Sequence, residues 1–185
     1  MNPSISAIKA IIVVCILFFV PTLTANMAPF MYERFALYFP KHENFRIWQF
    51  VTNIFMHGSF MHIFFNMYAL WAFGSPLEKM WGRKKFYVFF FLAGIGAAVI
   101  YTLVNYFQFN NIYEQLIAAG ATPEDINAML QTGTYQTSWL QSVPEEKMED
   151  FRNLYRIPVV GASRAIYGVL VASGILFPKG KLFLI

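Results

Sequence analysis

His62 and Asn66 stand four residues apart within the apolar run FMHIFFNMYALWAF, a spacing that puts both on one face of a helix. Ser163 lies in VVGASRAIYGVL, a hydroxyl among small residues at the start of another apolar run. A serine at a helix N-terminus has unpaired backbone N–H groups beside it and a helix dipole that favours negative charge, so half of an oxyanion site comes with the position. The chemistry that fits is nucleophilic attack by the hydroxyl. Each signal also has a plainer reading. His, Asn and Ser commonly make interhelical hydrogen bonds in membranes, and Gly161, Ala165 and Gly168 form a small-residue packing face. A metal site is the weakest reading. His57 and His62 are five apart with no Glu or Cys beside them, and His42 sits in a loop. No metal and no cofactor is expected.

The elements that carry these residues follow from composition. The 185 residues are 57% hydrophobic and 13% charged, with 21 Phe, 10 Tyr and 4 Trp, whereas a soluble domain carries roughly 25% charged residues. That excludes a disordered chain and an ordinary cytosolic enzyme, and a single cysteine, Cys15, excludes a disulfide scaffold. A net charge of +4 needs no nucleic acid, because Lys and Arg gather on cytoplasmic loops of membrane proteins. Four stretches approach the roughly 20 apolar residues that cross a bilayer: about 7–29, 59–79, 85–107 and 159–178. The first also resembles a signal peptide, but its apolar run continues past Pro21 toward Phe30, which favours a retained span. The expected fold is therefore an all-α polytopic membrane bundle in a single domain, 1–185, with four complete spans.

Residues 30–58 mix aromatics with isolated charges and read as an interfacial loop. Residues 108–158 hold seven acids against three bases and read as a soluble loop, with Thr122 capping a short helix from Pro123 to about Gln131. The dense basic turn of Lys79, Arg83, Lys84 and Lys85 reads as cytoplasmic, as do Lys179 and Lys181, which puts the N-terminus inside. With one span between them, the second and fourth spans run parallel. His62, Asn66 and Ser163 then share a membrane depth and are expected to converge near one face.

Taken together these residues resemble the rhomboid family of intramembrane serine proteases. NIFMHGSFMHIFFNMYALWAFGSPLEKMWG is similar to the family's second transmembrane segment, matching at His57, His62, Asn66, Gly74, Glu78 and Gly82, and VVGASRAIYGVL matches its Gly-X-Ser-Gly motif at Gly161 and Ser163. Trp48 matches the first residue of the family's Trp-Arg pair. The resemblance implies cleavage of transmembrane segments of membrane protein substrates within the lipid bilayer, in a multi-pass protein of a bacterial plasma membrane. It implies Ser163 as nucleophile, and an oxyanion held by the Ser163 N–H with His62 and Asn66. Gly161, Tyr167 and His57 take supporting places, Tyr167 at the position whose ring packs against the catalytic base.

Three departures accompany the resemblance. The family's base histidine lies on a sixth span, while this sequence stops 22 residues after Ser163 in KLFLI, which reads as the start of a fifth span; the chain as given is expected to be truncated and inactive. Arg164 replaces the motif's second glycine, and Arg164→Gly is expected to preserve or raise cleavage in a completed chain. Gln49 replaces the arginine after Trp48, read as tolerable loop variation. The alternative is a catalytically inactive rhomboid-like protein that binds transmembrane helices. A channel or transporter has little support, since the sequence shows no paired intramembrane charges and no evident inverted repeat.

Overall fold

The computed structural model describes residues 6–178, so Lys179, Lys181 and the KLFLI ending lie outside the described residues. Within them the regular elements are helices: α1 (Ala7–Thr22), α2 (Ala28–Phe35), α3 (Gln49–Thr52), α4 (Phe60–Trp81), α5 (Arg83–Ala118), α6 (Pro123–Thr132), α7 (Glu145–Arg156) and α8 (Ser163–Leu176), with a 3-10 turn at Thr137–Gln141. The bundle is all-helical, as composition and the four apolar stretches imply.

Side-chain caps set several of the starts. Ser6 accepts the Lys9 N–H at 3.2 Å before α1, and Ser59 accepts the His62 N–H at 3.2 Å before α4. The glycine and glutamate that follow Asn66 hold α1, α4 and α5 together. Glu78, near the end of α4, accepts the N–H groups of Ala7 and Ile8 at 2.6 and 3.3 Å, and its negative charge suits the N-terminus of α1. A methyl at Gly74 would lie 3.1 Å from both Ile8 and Phe86, so the missing side chain lets three helices close. Gly82, at φ +77°, ends α4 and starts α5 in a single residue, a conformation that costs glycine least.

These contacts fix the directions. The start of α1 docks on the end of α4, while Phe18 meets Phe55 just ahead of α4, so the two run antiparallel. On the α5–α8 face, Gly94 faces Ala165 and Ala93 faces Gly168, with methyls at the glycines calling for 3.1 and 2.8 Å. These helices are also antiparallel, and α4 and α8 are therefore parallel. The small-residue face of α8 is a genuine packing surface against α5.

The core between these helices is mostly apolar, with Ile11, Cys15, Leu70, Phe86, Phe90 and Val169 buried. Large apolar side chains also cover the outside, among them Leu17, Phe65, Leu92, Ile100 and Ile175, as suits a surface solvated by lipid. Among the described helices, α5 is long and apolar enough to cross a membrane by itself; α1 and α8 are apolar and shorter. The first expected span stops at Thr22, where Thr22 and Thr24 hydroxyls bond back to Phe19 and Pro21 carbonyls. The fourth is helical only from Ser163, because Val159 pairs both its N–H and C=O with Leu37 in an isolated antiparallel bridge.

Residues 108–158 differ most from a loop. α5 continues eleven residues past the third apolar stretch to Ala118, because Phe109, Ile112 and Leu116 recur at helical spacing and are buried. With Ile126, Met129, Met148 and Phe151 they make a second core, in which Phe151 stacks on Phe109 at 4.3 Å. α6 begins at the Thr122 cap in a reciprocal box with Asp125. Lys41 ties residues 30–58 to this unit: its ammonium meets Asn110 Oδ1 at 2.8 Å and lies 5.2 Å from the centre of the Phe109 ring.

Candidate active site

Ser163 is the first residue of α8, and the preceding cap residue, Ala162, makes no side-chain cap. The N–H groups of this first turn therefore have no intrahelical acceptor. Gly161, two residues earlier, has φ +117°. A Cβ there would lie 2.7 Å from Cε1 and Nε2 of His62 and 3.6 Å from Ser163 Oγ. The imidazole and the hydroxyl thus stand across the space of one methyl group, and a side chain at Gly161 would occupy that space.

Asn66 is one turn further along α4. It is only 7% exposed, and its Nδ2 is buried without a hydrogen-bond partner among the described residues. A buried donor left open is rare in a folded protein and calls for an explanation. His57 is fully buried ahead of α4, its ring edge-on to His62 with centroids 5.1 Å apart. Its Nδ1 lies 3.1 Å from the Phe55 carbonyl. A carbonyl only accepts, so Nδ1 carries the proton and Nε2, also buried and unpartnered, is the basic nitrogen. Burial pushes the His57 pKa down to about 4, outweighing the opposing pull of the Phe55 carbonyl. Tyr167, one turn below Ser163, is 68% exposed. The four residues His57, His62, Gly161 and Ser163 are brought together, with Asn66 one turn below His62. Among the described residues no group of His, Cys, Asp or Glu could hold a metal.

Two buried amides hold this arrangement: Asn53, which the residue pattern does not single out, and Gln49, which it reads as loop variation. Asn53 is fully buried and accepts the Gly161 N–H on its backbone carbonyl at 2.9 Å. Its side-chain Nδ2 donates to the Gln49 carbonyl, and its Oδ1 accepts from Arg164 Nη2. Gln49, also fully buried, accepts the N–H groups of Tyr38 and Arg46 at 3.3 and 3.1 Å and donates to the carbonyls of Glu33 and Asn44 at 3.2 and 2.8 Å. Gln49 therefore ties together the loop that delivers Asn53, rather than varying freely within it. Nothing in QFVTN distinguishes these amides from surface residues by type; only their burial does.

Arg164 does not extend freely toward the interface. It is half-buried, bonded to Asn53, with its guanidinium 5.8 Å from the centre of the Tyr101 ring on α5. Its remaining N–H donors have accessible surface. Tyr101 also lines a cavity of about 560 Å³ that runs beside Ile157, Pro158, Val159 and Val160, the extended segment leading to Ser163.

Comparison with known proteins adds the family. A family model described as "Rhomboid domain" matches residues 44–184. The chain is similar to Rhomboid-like protease 3 of Toxoplasma gondii, 37% identical over 60 residues, 32% of this chain and 23% of that protein. It is also similar to the rhomboid protease GlpG of Salmonella newport (strain SL254), 46% identical over 44 residues, 24% of this chain and 16% of that protein. The aligned stretches span less than a quarter of these relatives' length. No solved structure matches.

Proposed function

Because this chain belongs to the rhomboid family of integral membrane proteins, we propose that it is the core of an intramembrane serine protease acting on transmembrane segments of membrane proteins. The observation that carries the reading is the meeting of the His62 imidazole and the Ser163 hydroxyl about the bare Cα of Gly161. In this reading Ser163 Oγ attacks a substrate carbonyl, and the developing oxyanion takes hydrogen bonds from the Ser163 N–H, His62 and Asn66. The open Nδ2 of Asn66 suits that role, since a donor without a ground-state partner is free for a charge that exists only during reaction. Gly161 keeps the space open, and His57, neutral and fixed in one tautomer, supports the His62 ring. The serine proton passes to a base histidine, which the family resemblance assigns to a later span, and from it to the amine that leaves as the substrate's peptide C–N bond breaks; His57 and His62 already have places. Water then releases the acyl group from Ser163. No cofactor enters. The protein is read as a multi-pass membrane protein with its N-terminus inside, an orientation supported by the basic turn at Lys79 to Lys85.

A second reading, a rhomboid-like protein that binds transmembrane helices without cleaving them, is supported by Arg164 beside the nucleophile and by a Ser163 hydroxyl to which no described side chain is hydrogen-bonded. The protein expressed from its complete gene decides between the two. Cleavage of a transmembrane substrate that disappears in Ser163→Ala supports the protease, and binding that is unchanged in Ser163→Ala with no product in either supports the second.

A further inference from the structure

Arg164 poses a physical problem that the reaction does not solve. A guanidinium at membrane depth is expensive, and such cations pair with acids or mark a substrate path. Arg164 has no acid for company among the described residues: its polar partner is the neutral amide of Asn53, and its π partner is Tyr101. Among the described residues it makes no ion pair. The carboxylate in the wall of the neighbouring cavity, Asp150, is exposed and makes none with it. Its charge is thus half-buried and held by neutral groups, with no anion opposite it among the described residues.

The position of that charge is specific. Arg164 follows Ser163 directly and faces α5, while His62 lies on the α4 side at Gly161. A segment seated at Ser163 with its carbonyl toward His62 and Asn66 has Arg164 on its other flank. Asn53 and Tyr101 hold the guanidinium in one place, so its accessible donors are preorganised, and a planar fork of donors matches a carboxylate.

Building on the protease reading of the same site, we propose that Arg164 determines specificity by pairing with an acidic side chain of the substrate beside the bond held at Ser163. The glycine of the family motif offers no such group, so this preference belongs to this chain. A charge-assisted hydrogen bond of this kind is about twice as strong as a neutral one.

The test separates binding from chemistry. In the complete protein carrying Ser163→Ala, reconstituted in vesicles, the affinity is measured for transmembrane peptides with a single Glu at successive positions around the scissile bond, each against its Gln counterpart. At one position the Glu peptide binds about tenfold or more tighter, a ratio that corresponds to about 1.4 kcal/mol. Adding Arg164→Gln brings the ratio to one without loosening the Gln peptide, and Arg164→Lys restores part of it. A ratio near one at every position, or a Glu preference unchanged by Arg164→Gln, overturns the proposal. Equal weakening of both peptides by Arg164→Gln also overturns it, because the arginine then only holds Asn53. Cleavage is read separately with Ser163 intact. Absence of product defeats the protease reading, and the binding ratio still decides the assignment of Arg164.

Discussion

The His62 ring and the Ser163 hydroxyl come together around Gly161, whose absent side chain is the gap between them: a Cβ there would sit 2.7 Å from Nε2 and 3.6 Å from Oγ. Gly161→Ala therefore does two kinds of damage. It forces a residue with a side chain to φ +117°, at a cost on the order of 1–3 kcal/mol, and it pushes the imidazole away. Cleavage by Gly161→Ala is expected to be lost, with a lowered thermal midpoint. Normal turnover in this variant would show that the two groups need not share this space.

Asn66→Leu separates stability from catalysis. The Asn66 Nδ2 has no partner to lose, and an apolar group of similar size in place of an unsatisfied donor is neutral or stabilising. The thermal midpoint is expected to hold or rise, while kcat falls about 100-fold, as for other oxyanion donors. A fall in stability with unchanged kcat would place Asn66 among structural residues.

Gln49→Ala removes four hydrogen bonds of a fully buried side chain. Each backbone group left open costs about 1–3 kcal/mol, so the unfolding free energy is expected to drop by at least about 2 kcal/mol. An unfolding curve that matches the unsubstituted protein would restore this position to ordinary loop variation.

His57 gives a pH signature. Its folded pKa is about 4 against about 6.5 for an unfolded histidine, so between these values the unfolded state binds more protons. Stability is at its full value above about pH 6.5 and falls as pH drops toward 4. The slope of thermal midpoint against pH in that window is expected to flatten in His57→Gln. An identical slope in both proteins would mean that another group carries the acid sensitivity.

Much of this was readable because membrane physics simplifies the sequence. Uncharged runs mark the helices that pack around the site, and the single span α5 between α4 and α8 makes those two parallel and aligns His62 with Ser163. The Thr122 cap on the helix from Pro123 is legible from residue types alone, whereas the reciprocal bond to Asp125 comes from the fold. The extension of α5 to Ala118 is hidden by the polar residues that begin at Gln108, although Phe109, Ile112 and Leu116 keep the helical period. α7 is hidden in the same way. Its buried face consists of Met148, Phe151 and Tyr155, which are dispersed among charges. The amides of Gln49 and Asn53 acquire meaning only from neighbours brought by the fold: Asn53 receives Arg164, which lies 111 residues away in the chain. Residue type carries no trace of that meeting.

The most direct test of the protease account is Ser163→Ala in the protein expressed from its complete gene, reconstituted with a transmembrane substrate and read by mass spectrometry of the products. The account predicts a single cut within or next to the substrate's apolar segment in the unsubstituted protein and no cut in Ser163→Ala, with both proteins equally folded and inserted. The same cut at the same rate in Ser163→Ala would contradict it, because the hydroxyl beside His62 would then have no part in the reaction.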